Sequence, residues 1–204
     1  LLRAGQLMPS GQEIVGSIYG AWRILRFDPR ALDHFNLTIE GFWRSFFAAL
    51  LVAPAYAASS LIRYTSVPAE ETADTDLVAF IVVRLIGFAL AWAAFPIAMI
   101  WISRLLQLGH RYVTYIVVWN WSSVITMAIM LPLAILLSLE FIPTGLAGGV
   151  MIFAFGYVLF YAYLVARAGL ACGTGTAIAI VVFEIALSHL IDLGAGKLFQ
   201  LPPL

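Results

Sequence analysis

The sequence is short of charge. Of its 204 residues only 11% are Asp, Glu, Lys or Arg while 63% are hydrophobic, and a water-facing surface ordinarily carries about 25% charged residues. A soluble globular domain is excluded on that ground, and a mean hydropathy of +0.98 points to a bilayer as solvent. Cysteine occurs once, at Cys172, so an internal disulfide framework is excluded, and neither a second Cys nor a nearby His completes a metal site. Neither sign of charge is in excess, with 11 Lys plus Arg against 11 Asp plus Glu. There is no basic tract, and nucleic acid is not an expected partner. Motifs that specify chemistry are missing too: there is no G-x-S-x-G elbow, H-E-x-x-H, Walker A or C-x-x-C. Gly173, Thr174, Gly175 and Thr176 lack the Lys of a P-loop and read as a turn in which Thr174 or Thr176 caps a helix. No His lies at the depth of a haem or chlorophyll ligand. No enzymatic activity, cofactor or metal is therefore expected.

Long apolar runs are what the chain has in quantity. Five are long enough to cross a hydrocarbon core of about 30 Å, which takes about 20 helical residues. They cover approximately residues 42–62, 77–102, 112–137, 146–166 and 174–193. None alternates strictly as barrel strands do, so the expected fold is all-α: a polytopic membrane protein of five transmembrane helices. Residues 1–41 form an N-terminal segment before this bundle and 194–204 a tail after it. Residues 1–10 do not read as a secretory signal, and an internal span is expected to direct insertion.

Orientation follows from the positive charges, which are retained on the cytoplasmic side during insertion. Arg3, Arg23, Arg26, Arg30, Arg44, Arg104, Arg111 and Arg167 all fall on one side. Arg63 and Lys197 fall on the other, together with Glu70, Glu71, Asp74, Asp76 and Glu140. The N-terminus is therefore expected in the cytoplasm and the C-terminus outside, and the sequon at Asn36 should be unmodified. The acidic loop after Arg63 lacks the pattern of a calcium loop and reads as a solvated segment.

Ahead of the first span, Ile14, Ile18, Trp22 and Leu25 fall at helical spacing, widened by Val15 and Tyr19. This predicts an amphipathic helix lying in the membrane interface, with Trp22, Arg23 and Arg26 as candidate lipid-interface residues. It should end near Phe27, because Pro29 disfavours helix at Asp28, and Asp28 can cap a new short helix.

Two ionisable residues lie well inside spans, Arg84 in the second and Glu184 in the fifth, where an uncompensated charge costs about 2.5–3.5 kcal/mol even on permissive scales. By rise per residue both lie about 10–13 Å from the same surface, so they are expected to be able to meet, either as a structural pair or as part of a relay. Ser188 and Asp192 follow Glu184 at one-turn intervals on the same face and extend the candidate polar stripe, whereas His189 lies off it. Asn120 and Ser123 share a face of the third span and read as interhelical hydrogen bonds before substrate ligands. Trp92, Trp119 and Trp121 read as packing. Small residues recur every four positions at Ala49, Ala53 and Ala57, at Gly87 and Ala91, and at Gly145 and Gly149; packing within the chain is the first reading and an oligomer face the second. Pro54, Pro96 and Pro132 lie inside spans, where they can kink the helix.

Two short connections, Arg104-Leu105-Leu106-Gln107-Leu108-Gly109 and Ala168-Gly169-Leu170-Ala171-Cys172-Gly173-Thr174-Gly175-Thr176-Ala177, complete an arrangement that resembles the Yip1-domain-like integral membrane proteins over about residues 31–193. The resemblance is mainly architectural: a cytoplasmic N-terminal segment, five closely spaced helices and an exterior C-terminus. It implies no catalytic residue, and without a long cytoplasmic domain the chain is not expected to bind a small GTPase. The Arg-rich, Lys-poor composition suits a bacterial inner membrane. The function expected is that of a non-enzymatic organiser or accessory subunit of a membrane assembly, with lipids and other membrane proteins or further copies of the chain as partners. The alternative is a small ion, proton or lipid transporter using Arg84, Glu184, Ser188 and Asp192. An intramembrane enzyme would require Asn120, Ser123 and Glu184 to converge on one cavity.

Overall fold

The computed structural model describes residues 8–66 and 76–198, with side chains described through residue 195. Arg3, the acidic positions Glu70, Glu71 and Asp74, the side chain of Lys197 and most of the expected tail lie outside the described residues. Among those described, all regular structure is helical. Five helical stretches are long and apolar enough to cross a membrane: Ile39–Ser66, Leu77–Leu105, Gly109–Ser138, Thr144–Leu170 and Thr174–Ala195. Four of them have 27 to 30 residues, or about 40–45 Å at 1.5 Å per residue, enough for the hydrocarbon core and both headgroup zones. The protein is an integral membrane protein of five spans preceded by one further helix.

Local chemistry sets the helix starts. Helix α1 (Gly11–Leu25) begins where the Ser10 side chain accepts from the Glu13 amide at 3.1 Å. In the first span, α2 (Ile39–Ser45) is capped by Thr38, whose hydroxyl accepts from the Gly41 amide, and α3 (Phe47–Ser66) follows directly. Asp76 caps α4 (Leu77–Leu105) by accepting from the Ala79 amide at 2.8 Å. The remaining spans are α5 (Tyr112–Ser138), α6 (Thr144–Leu170) and α7 (Thr174–Leu198). Thr174 does not serve as the expected cap of α7: it is the helix's first residue, and its hydroxyl accepts from Arg167 at 2.7 Å. The turns after α4, α5 and α6 each place a non-glycine residue in the left-handed region, at Gln107 (φ 59°), Glu140 (φ 57°) and Ala171 (φ 50°). That conformation terminates a helix, here without the glycine that usually takes it.

The spans form a ring. Helix α3 packs on α4 and α5, α5 on α6, α6 on α7, and α7 closes back onto α4. At one end α1 and α2 pack against the start of α5 as a collar. Consecutive residues Tyr115, Ile116, Val117 and Val118 are all buried there, so α5 is covered on every side. The helix expected ahead of the spans is present as α1, with part of its apolar face on the bundle and part turned outward. Its small residues Ser17, Gly20 and Ala21 are buried with Ile24, α1 lies on α5 and α6, and Ile14, Ile18 and Leu25 join the core cluster. Only Val15, Tyr19 and Trp22 of its apolar residues face outward. Small side chains permit the approach: a Cβ on Gly20 would sit 2.7 Å from the Phe35 ring, and one on Gly169 2.9 Å from the Tyr115 Cα. Tyr161 of α6 donates to the Ala21 carbonyl at 2.9 Å and fixes α1 to the bundle. Outside the collar the spans expose large apolar side chains such as Ile97, Ile152, Phe153 and Val182, the surface that lipid would cover.

Candidate functional site

The polar stripe on α7 faces α4, but its pairings differ from the expected contact between Arg84 and Glu184. Arg84 pairs with Asp192, Nη1 to Oδ1 at 3.4 Å, and its guanidinium carbon lies 5.8 Å from the centre of the Tyr56 ring of α3. Helix length accounts for the change. Helix α7 runs to Leu198 rather than stopping at 193, so Asp192, six residues from that end, matches Arg84, seven residues into α4, in depth. Glu184 then lies about 12 Å deeper than Asp192. Among the described residues the Arg84 Nε is buried with no hydrogen-bond partner, and the cation rests on the ionic contact with Asp192 and on Tyr56.

Glu184 takes its proton donor from α5: the Trp119 indole N–H donates to Oε1 at 2.6 Å. Among the described residues no hydrogen bond reaches the other carboxyl oxygen. Glu184 and Ser188 line one cavity of about 100 Å³ whose walls include Phe88, Trp92, Phe95 and Trp119. These rings form a continuous array, with centroids 5.0 Å apart for Phe88 and Trp92, 5.5 Å for Trp92 and Trp119, and 4.8 Å for Phe95 and Trp119. Ser188 is exposed and marks the mouth.

A second polar chain lies beside this cavity and is closed on itself. Trp92 donates through its indole N–H to Asn120 Oδ1 at 2.7 Å, Asn120 Nδ2 donates to Ser45 Oγ at 2.7 Å, and Ser45 donates to the Phe42 carbonyl at 2.7 Å. Ser123 donates to the Trp119 carbonyl of its own helix. Neither Asn120 nor Ser123 lines the cavity, so the convergence required by an intramembrane enzyme does not occur. The polar role of Trp92 and Trp119 is what the sequence reading did not assign, although a buried indole N–H must find an acceptor, here Asn120 and Glu184.

At the collar, Trp22, Arg23 and Arg26 do come together: with Tyr19, Asp28 and Pro29 they line an open groove of about 490 Å³. Arg23 is ion-paired with Asp28 and approaches His34 Nε2 at 3.1 Å, while Arg26 is exposed. Asp28 also accepts from the Arg30 amide at 2.8 Å, the capping role expected of it, ahead of a 3-10 turn at Ala31–His34. The Arg30 amide and the Arg23 guanidinium hold the Asp28 carboxyl below its ordinary pKa.

Between α3 and α4 runs an apolar groove. Ala49, Ala53, Ala89, Ala93, Phe88 and Trp92 line a stretch of about 450 Å³, and toward the other end Ala57, Ala58, Leu61 and Val78 line a further 410 Å³. Of the small residues expected first to pack within the chain, Ala49 packs against the core and Gly87 faces Ala195 and Asp192, Ala49, Ala53 and Ala57 also border these grooves, and a Cβ on Gly145 or Gly149 would meet nothing within 4 Å. Compared with protein-family models, with curated proteins and with solved structures, the chain matches none.

Proposed function

We propose that this protein is a non-enzymatic membrane organiser or accessory subunit that seats one transmembrane helix of a partner in the groove between α3 and α4. The groove is the observation that carries the reading. With the separate groove beyond it, the apolar lining covers α3 from Phe46 to Leu61, about 23 Å at helical rise, most of a hydrocarbon core. Its alanine lining permits the close backbone approach by which helices associate in lipid, where burial of apolar surface supplies no drive. On this reading the protein belongs to a bacterial inner membrane, with the collar in the cytoplasm, in keeping with the positive charges at that end. The Yip1-domain-like architecture agrees with a role without catalysis, and the collar groove around Arg26 suits lipid headgroups.

Purification in a mild detergent, with mass determination of what remains bound, tests the proposal. A different membrane protein in stoichiometric amount, released by Ala53→Trp or Ala93→Trp, is the expected result. A monomer that binds nothing, or a complex indifferent to both substitutions, overturns it. Release of a second copy of the same chain would instead make the groove a self-association face.

The second reading is transport of a small ion, proton or lipid, favoured by Glu184 and Ser188 sharing one cavity with the Arg84 and Asp192 pair beyond it. Its test is flux into proteoliposomes, abolished by Glu184→Gln in protein that remains folded.

A further inference from the structure

We propose that the cavity between α4, α5 and α7 binds the ammonium group of a small organic cation, with the Glu184 carboxylate as counter-ion and the rings of Phe88, Trp92, Phe95 and Trp119 as its walls. The lining selects the chemistry. A carboxylate in an apolar, low-dielectric site is expensive on its own, and here it has one donor, Trp119, and a second oxygen without a hydrogen bond among the described residues. A cation in the cavity would supply the missing interaction. A metal ion is a poor occupant, because hard cations take six or more oxygens and this lining offers one carboxyl and one hydroxyl, from Glu184 and Ser188. Alkylammonium groups are attracted by aromatic rings, and four aromatic side chains wall this cavity.

Size agrees. A water needs about 10–15 Å³ of such space, so a cavity of about 100 Å³ accommodates one compact cation. The walls are preorganised: the Trp92 indole is fixed by Asn120 and the Trp119 indole by Glu184 itself, so little ordering remains to be done on binding. Ser188 at the exposed mouth offers a hydroxyl to an N–H of a primary amine. The site is distinct from the α3–α4 groove, although Phe88 and Trp92 form a wall common to both, and it stands whether or not a partner helix seats there.

The test titrates tetramethylammonium chloride, and separately methylammonium chloride, into the full chain in nanodiscs, with sodium chloride at equal ionic strength as reference. Binding is read by calorimetry and tryptophan fluorescence. Saturable binding of one equivalent of either cation is expected, weakened at least tenfold in Glu184→Gln and a few-fold in Phe88→Leu. Ser188→Leu, at an exposed position, should obstruct the mouth and reduce binding without disturbing the fold, and it decides the question if Glu184→Gln does not fold. The proposal fails if the wild-type chain binds neither cation saturably, if sodium gives the same response, or if folded Glu184→Gln or Ser188→Leu binds as the wild type does.

Discussion

Arg84 sits in a span with a single ionic partner, and that partner is Asp192 rather than the carboxylate deeper in α7. A double-mutant cycle separates the two assignments. Arg84→Gln and Asp192→Asn should each destabilise the protein in micelles by about 1–3 kcal/mol, with a coupling of at least about 0.5 kcal/mol, since each single change leaves the other charge without its partner. Arg84→Gln and Glu184→Gln should add, because those two residues share no contact. A coupling between Arg84 and Glu184 with none to Asp192 would contradict the pairing described here. Asn120 provides a second prediction: Asn120→Ala strands the Trp92 indole N–H and removes the donor to Ser45 Oγ, and should cost about 1–3 kcal/mol in denaturant or thermal unfolding. That Arg84 and Glu184 would need partners was legible, because intramembrane charge is costly wherever it occurs. Which partners they take was not, because depth along a helix depends on where the helix ends, and the last turn of α7 past residue 193 moves every assignment by more than a turn.

Among the elements, the spans were legible to within a few residues because about 20 apolar residues have few alternatives to a membrane helix. The place of α1 was not. Its periodicity reports an apolar face but does not distinguish lipid from protein as the surface that covers it, and Gly20 and Ser17 rather than the large residues mark the buried stripe. Small residues also carry opposite consequences in α6. Gly169→Ala would bring a Cβ within 2.9 Å of the Tyr115 backbone and should destabilise by about 1–3 kcal/mol through overpacking. Gly149→Ala meets open space and should be neutral or stabilising by up to about 1 kcal/mol, the usual helix preference for Ala over Gly. Thermal unfolding of the two variants side by side checks both.

The collar also carries a pH dependence. The Asp28 carboxyl has a folded pKa below its unfolded value because the Arg30 amide and Arg23 bind its charged form. Its contribution to the docking of α1 is therefore fully present above the unfolded carboxyl pKa near 4 and is lost as pH falls through the lower, folded value. Hydrogen exchange at the α1 amides, relative to the intrinsic rate at each pH, should accelerate on acidification below pH 4. In Asp28→Asn it should be faster at neutral pH and lose that part of the acid dependence; an acid profile unchanged by the substitution would dissociate Asp28 from the docking of α1.

For the whole molecule, the ring and the collar make the two ends chemically unlike, and sidedness becomes a measurable property. Arg23, Arg26, Arg30, Arg44, Arg104, Arg111 and Arg167 cluster toward the collar end, whereas Asp76 and Glu140 mark the other with Arg63. Positive charge retained on the cytoplasmic side would put the collar there, the orientation proposed above. The native thiol is a poor reporter of this, because burial raises the Cys172 pKa and lowers its reactive thiolate fraction, so silence toward a maleimide would have two causes. A Cys172→Ser chain carrying Gly173→Cys removes the ambiguity, since Gly173 lies in the same turn and has open space around it. Phe141→Cys, exposed in the turn between α5 and α6, reports the opposite end. In intact cells a membrane-impermeant maleimide should label the cysteine at 141 and not the one at 173, and inverted membrane vesicles should reverse the pattern. The opposite result would place the arginines outside, and the collar groove around Arg26 would then face the external leaflet, away from the anionic cytoplasmic surface that its free guanidinium suits.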